Sequence, residues 1–124
     1  MTRLLVAACG LGLAAGCLSE RPRPAPPVLA IVIDSDTIRS TTPNDMLTGS
    51  VRVTDPDGLD SIWLQVDTTR VGVDGLFETV FERPFRFGVR SGLAPGTQVP
   101  VVLEARDVVG FRSRLDSFVT VVAP

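Results

Sequence analysis

Val51-Arg52-Val53-Thr54-Asp55-Pro56-Asp57-Gly58, continuing as Leu59-Asp60-Ser61-Ile62-Trp63-Leu64-Gln65-Val66-Asp67, is the stretch that decides the fold class. Ahead of the turn, Val51 and Val53 fall on one side and Arg52 and Thr54 on the other. After it, Ile62, Leu64 and Val66 alternate with Trp63, Gln65 and Asp67. A repeat of two is what a pleated strand with one dry and one wet face demands, because successive side chains point to opposite sides. The Asp-Pro-Asp-Gly between them is turn chemistry: proline presets φ, aspartate bonds its own backbone, and glycine accepts positive φ. In this register Trp63 points outward.

The same period extends through the rest of the chain. Strands are expected over residues 28–33, 47–54, 61–67, 76–82, 85–90, 99–107 and 115–122, with a polar loop over 34–45 and turns at Gly72 and at Asp74-Gly75. Arg83-Pro84 separates two of these segments, and proline there means an edge, a kink or a crossing between sheets. Val101, Leu103 and Ala105 take the inward face opposite Glu104 and Arg106. Phe77, Phe81, Phe85 and Phe87 read as core. The expectation is an all-β domain over 28–124, a single seven-stranded immunoglobulin-like antiparallel β-sandwich.

Composition limits the function. At 124 residues the chain has room for one core. A net charge of −2, with no basic cluster, argues against a grip on nucleic acid. There is no histidine and no tyrosine, and all twelve cationic residues are arginine. A serine nucleophile would therefore lack both the usual imidazole and a lysine partner. Glu78, Glu82 and Glu104 lie on solvent faces of strands, not across a cleft as a glycosidase pair must. The domain is expected to be non-catalytic. The two cysteines, Cys9 and Cys17, fall in the first seventeen residues, so the rest of the chain forms no disulfide.

Met1 to Arg3 is a short cationic start, and an apolar run over 4–15 follows. That run suits a secretory signal and is too short for a bilayer-spanning helix. It ends Leu13-Ala14-Ala15-Gly16-Cys17, which resembles the lipobox of bacterial lipoproteins, although Ala14 stands where that family prefers leucine. The resemblance implies cleavage after Gly16, a signal peptide over 1–16, and Cys17 as the lipid attachment site. Val6-Ala7-Ala8-Cys9 has the same pattern but too little apolar chain before it. Several acyl chains, at about 0.8 kcal/mol per buried methylene, make a durable anchor. Leu18 after the cysteine implies, by the sorting rule of enteric bacteria, outer-membrane placement in the cell envelope. Residues 17–27, with Arg21-Pro22-Arg23-Pro24-Ala25-Pro26-Pro27, are expected to be an extended, stiff tether.

Leu93-Ala94-Pro95-Gly96-Thr97-Gln98-Val99, followed by Ala105-Arg106-Asp107 and Gly110, resembles the corner and following strand of fibronectin type III and related bacterial Ig-like domains. The Asp-x-Asp-Gly of residues 55–58 likewise resembles bacterial Ig-like and cadherin-like repeats. Two positions depart from the fibronectin pattern: Val99 replaces the corner tyrosine, and the second strand has no tryptophan. The resemblance implies a generic Ig-like sandwich, a fold more than a function; the expected role is a lipid-anchored domain that mediates protein contact or supports envelope structure, with no cofactor.

Two constellations are candidates for binding. Asp55, Asp57 and Asp60 share one turn, and Asp107 at the end of the sixth expected strand can approach them, so calcium is the metal these carboxylates would suit. Tight turns also use aspartate and glycine for purely local reasons. Trp63, with Arg52 or Arg106 nearby, suits an interface, since aromatic and arginine anchors dominate binding energetics. It equally suits stacking on an arginine stem. The alternative function is therefore a calcium- or carbohydrate-binding surface module built on the acidic loops and Trp63.

Overall fold

The computed structural model describes residues 25–39 and 46–123. Cys17, most of the tether and the Thr-Thr-Pro-Asn of 41–44 lie outside the described residues. Within the described residues the protein is all-β, with strands β1 (Val28–Ile33), β2 (Thr37–Arg39), β3 (Met46–Thr54), β4 (Leu59–Val66), β5 (Thr69–Val73), β6 (Val80–Gly88), β7 (Gln98–Asp107) and β8 (Arg112–Val122). They form two sheets, one of three strands in the order β1-β3-β6 and one of five in the order β2-β8-β7-β4-β5. Every pairing is antiparallel except β2 with β8.

The aliphatic faces read from the sequence for β3, β4 and β7 face the core. Val51 and Val53 on β3, Ile62, Leu64 and Val66 on β4, and Val101, Leu103 and Ala105 on β7 are all buried in one cluster between the sheets. Each of the valine, leucine and isoleucine side chains among them contributes about 1.5–3 kcal/mol over leaving it exposed. Leu59 also faces inward although it is out of phase with Ile62, because the register against β7 slips between Leu59 and Ser61. That bulge absorbs one residue and keeps both ends of the strand pointed at the core.

The strand count is eight, not seven, and four local readings are corrected. β2 lies inside the expected loop 34–45. Its single buried residue, Ile38, is too short a signal for periodicity, and its parallel bonds to β8 hold it in place. β5 occupies the place read as a turn. The true turn is Asp67-Thr68, which leaves Val66 opposite Thr69. All five residues of β5 are exposed, so no alternation marks it. The two segments expected over 76–82 and 85–90 are instead one strand, β6, running through Pro84 opposite Ser50. Proline is tolerated because β6 pairs with β3 alone and is a sheet edge. Phe77 lies outside β6 with φ 56° and is 75% exposed, so it is not a core residue. Phe81 and Phe85 are buried, and Phe87 packs against the core.

A buried carboxylate joins the sheets. Asp67, placed on an outward face by the sequence register, is 5% exposed in the β4–β5 hairpin and accepts from Arg90 Nε at 2.9 Å and Nη2 at 2.7 Å. The Arg90 guanidinium, and then its N–H, hold the Asp67 carboxyl below the usual carboxylate range against the opposing effect of burial. A depressed native pKa adds stability that is complete above the unfolded value, near 3.9, and is lost as pH falls through the native value. Arg90→Ala should therefore lower the Tm at pH 7, and its gap to the parent should close as the pH drops below about 4. Thermal melts at both pH values check this; a gap independent of pH would show that the pair is not linked to folding.

Candidate functional site

The turn between β3 and β4 and the turn between β7 and β8 meet at one end of the fold. Val108 N–H donates to the Gly58 carbonyl at 2.9 Å and ties the two turns directly. Asp55 and Asp107 sit at the bases of these turns, and each is only 1% exposed. Asp55 Oδ1 accepts from the Asp57 N–H at 2.8 Å. Asp107 Oδ1 accepts from three consecutive backbone N–H groups, those of Val109 at 3.0 Å and of Gly110 and Phe111 at 2.8 Å. These are local reasons for aspartate at both positions, of the kind tight turns use.

Local turn bonding accounts for only half of each carboxylate. Oδ2 of Asp55 and Oδ2 of Asp107 are buried and have no hydrogen-bond partner. Burial above all, with the neighbouring Asp107 carboxylate adding to it, raises the Asp55 pKa, while the Asp57 N–H works in the opposite direction. The exposed Asp57 completes the group: Asp55, Asp57 and Asp107 each bring one oxygen within 4.8 Å of the others.

Of the four aspartates expected together, Asp60 does not join. The bulge turns it toward the solvent face of the five-stranded sheet, where it accepts from Arg106 Nε at 3.0 Å, from Arg106 Nη2 and from Ser61 Oγ. The Arg106 bond chiefly, and the Ser61 bond with it, lower the Asp60 pKa.

Trp63 faces outward on β4, as the alternation requires, and is partly covered. The guanidinium carbons of Arg70, Arg112 and Arg106 lie over its ring at 5.7, 5.9 and 6.0 Å from the centroid, within cation–π range. Arg52 does not belong to this patch, because it sits on β3 in the other sheet, opposite Glu82. Arg70 and Arg112 were missed in the sequence: one lies on β5, which no alternation marks, and the other on the first residue of β8, three earlier than expected. Glu104 carries one of these cations, bridging Arg70 at 3.5 Å, and also a fourth arginine outside the stack, Arg114, at 3.4 Å.

The indole rests on a glycine. A Cβ at Gly72, which pairs with Trp63 across the hairpin, would stand 2.7 Å from Trp63 Cδ1 and 3.1 Å from Nε1. Gly72→Ala should lift the ring at a cost of about 1 kcal/mol. Trp63 is the sole tryptophan, so the shift should appear as red-shifted intrinsic fluorescence. An unchanged emission maximum would show that the indole does not lie over residue 72.

No protein-family model matches this sequence, and a search of curated proteins finds no match. Among solved structures the protein is similar to Spo0M, a sporulation control protein from Bacillus subtilis, with a TM-score of 0.56 at 14% identity. The match covers 81% of this chain and 51% of that one, so the protein corresponds to about half the length of its neighbour. At that identity the two share a fold.

Proposed function

We propose that this is a non-catalytic, lipid-anchored envelope protein: Cys17 carries the acyl chains, residues 17–27 are the tether, and an Ig-like sandwich over 28–124 is displayed for contact with a protein partner or for structural support. The observation that carries the reading is the sequence Leu13-Ala14-Ala15-Gly16-Cys17, closing an apolar run that is too short to span a membrane. A proline-rich spacer follows at once, and β1 begins directly after it. Leu18 beside the cysteine favours the outer membrane.

The sheet orders support the Ig-like assignment. With β2 taken as a continuation of the first strand on the opposite sheet, β1-β3-β6 corresponds to strands A, B and E of an Ig domain, and β8-β7-β4-β5 to strands G, F, C and C′. The ring of Trp63 lies among arginines, which fits a structural stack better than an open sugar platform.

The test is mass spectrometry of the N-terminal peptide from the membrane fraction of expressing cells. A peptide that begins at Cys17 and carries diacylglyceryl and amide-linked acyl mass is the expected product, and Cys17→Ser should abolish both lipid and cleavage. Recovery of an unmodified chain that still begins at Met1 would sink the proposal.

A further inference from the structure

We infer that the end of the fold formed by the β3–β4 and β7–β8 turns is a calcium site, with Asp55, Asp107 and Asp57 as its carboxylate ligands. This goes beyond the lipid-anchored reading and stands independently of it.

Two buried carboxylates in neighbouring turns, each with one oxygen sealed from water and without a donor, need a compensating positive charge. Side chains do not supply it: among the described residues no arginine forms an ion pair with Asp55, Asp57 or Asp107. Arg106, the cation closest in sequence, is committed to Asp60, and Arg90 to Asp67. Lysine and histidine do not occur in the chain.

The geometry suits one ion. Oxygens bound to the same calcium at about 2.3–2.6 Å can stand no more than about 5 Å apart, and the three carboxylate oxygens here lie within 4.8 Å of one another. The set consists only of hard oxygen donors, with no imidazole or thiolate, which disfavours zinc and copper. Calcium also accepts irregular coordination completed by water and backbone carbonyls, whereas magnesium requires a tight octahedron. Bound there, the ion would clamp the two turns together and reinforce the single backbone bond from Val108 to Gly58.

The experiment is calcium titration of the full chain, by calorimetry and by thermal melts in calcium, in magnesium and in EGTA. At saturating calcium the Tm should rise by at least about 5 °C over EGTA, with a smaller response to magnesium. Asp57→Asn tests the ligand set without emptying the core, because Asp57 is exposed. It should melt like the parent in EGTA and bind calcium at least tenfold more weakly. Equal melting in calcium and EGTA, with no binding heat up to about 10 mM, a concentration beyond the weakest extracellular modules, would overturn the assignment. Asp57→Asn binding as tightly as the parent would overturn it as well.

Discussion

Gly49→Ala is expected to cost about 3 kcal/mol and to lower the Tm by roughly 10–20 °C, the largest effect that a single added methyl should have in this fold. Gly49 lies mid-strand in β3, paired with Ile33 of β1 on one side and Phe85 of β6 on the other. A Cβ there would run into the Val32 carbonyl and stand 2.7 and 2.9 Å from Phe85 ring carbons. A side-chain tip can swing away, but a carbonyl inside a hydrogen-bonded strand moves only if β1 moves. Phe85 is itself buried and tilted at 49° against Phe87, with ring centroids 6.0 Å apart; its ring also borders a cavity, so the fixed Val32 carbonyl rather than the ring sets the cost. Urea denaturation checks the cost, with the m-value expected to stay unchanged. A loss under about 1 kcal/mol would mean that β1 does not sit over residue 49.

Asp107→Ala should cost a similar amount, about 3 kcal/mol, for a different reason. The substitution leaves three backbone N–H donors, of Val109, Gly110 and Phe111, without their shared acceptor, and bonds to a charged acceptor contribute about 1.5–3 kcal/mol each before water replaces them in part. Asp107→Asn separates this turn role from the metal role. An amide oxygen can still accept the three N–H groups, and the amide nitrogen can donate to the sealed oxygen of Asp55. In EGTA the asparagine variant is expected to match the parent within about 1 kcal/mol while the alanine variant does not. Denaturation of the three proteins in EGTA checks the order. If alanine and asparagine prove equally damaging, the turn bonds are not what position 107 supplies.

Both substitutions fall where local and tertiary requirements coincide, and this marks how far the sequence could be read. The strands carrying long alternation, β3, β4 and β7, were legible because each has one face in the core, and burial writes a repeat of two into the residues. β5 was not legible because neither of its faces is buried, and β2 because three residues cannot display a period. Pro84 misled the reading of β6, since a missing N–H breaks a strand in mid-sheet but costs nothing on an edge, and edge position is a property of the assembled sheet. Phe77 misled it in the opposite sense: a large aromatic beside a strand looked like core, yet its backbone turns the ring outward.

The candidate site divides along the same line. Asp55, Asp57 and Asp107 could be chosen from residue type and from strand ends that were correctly located. Asp60 could not be excluded without the bulge that turns it toward Arg106, and Arg52 could not be separated from Trp63 without knowing that β3 and β4 lie in different sheets.

The sequence by itself determined the all-β class, the inward faces of the long strands, the absence of imidazole and lysine chemistry, and the motif ending at Cys17, because each of these is written in residue identity or short-range order. Only the tertiary structure decided the strand partners, the edge that accepts Pro84, the seal over the second oxygens of Asp55 and Asp107, and the arginines gathered on Trp63. Those depend on which segments, remote along the chain, exclude water from one another, and that is a property of the packed sheets rather than of any stretch within them.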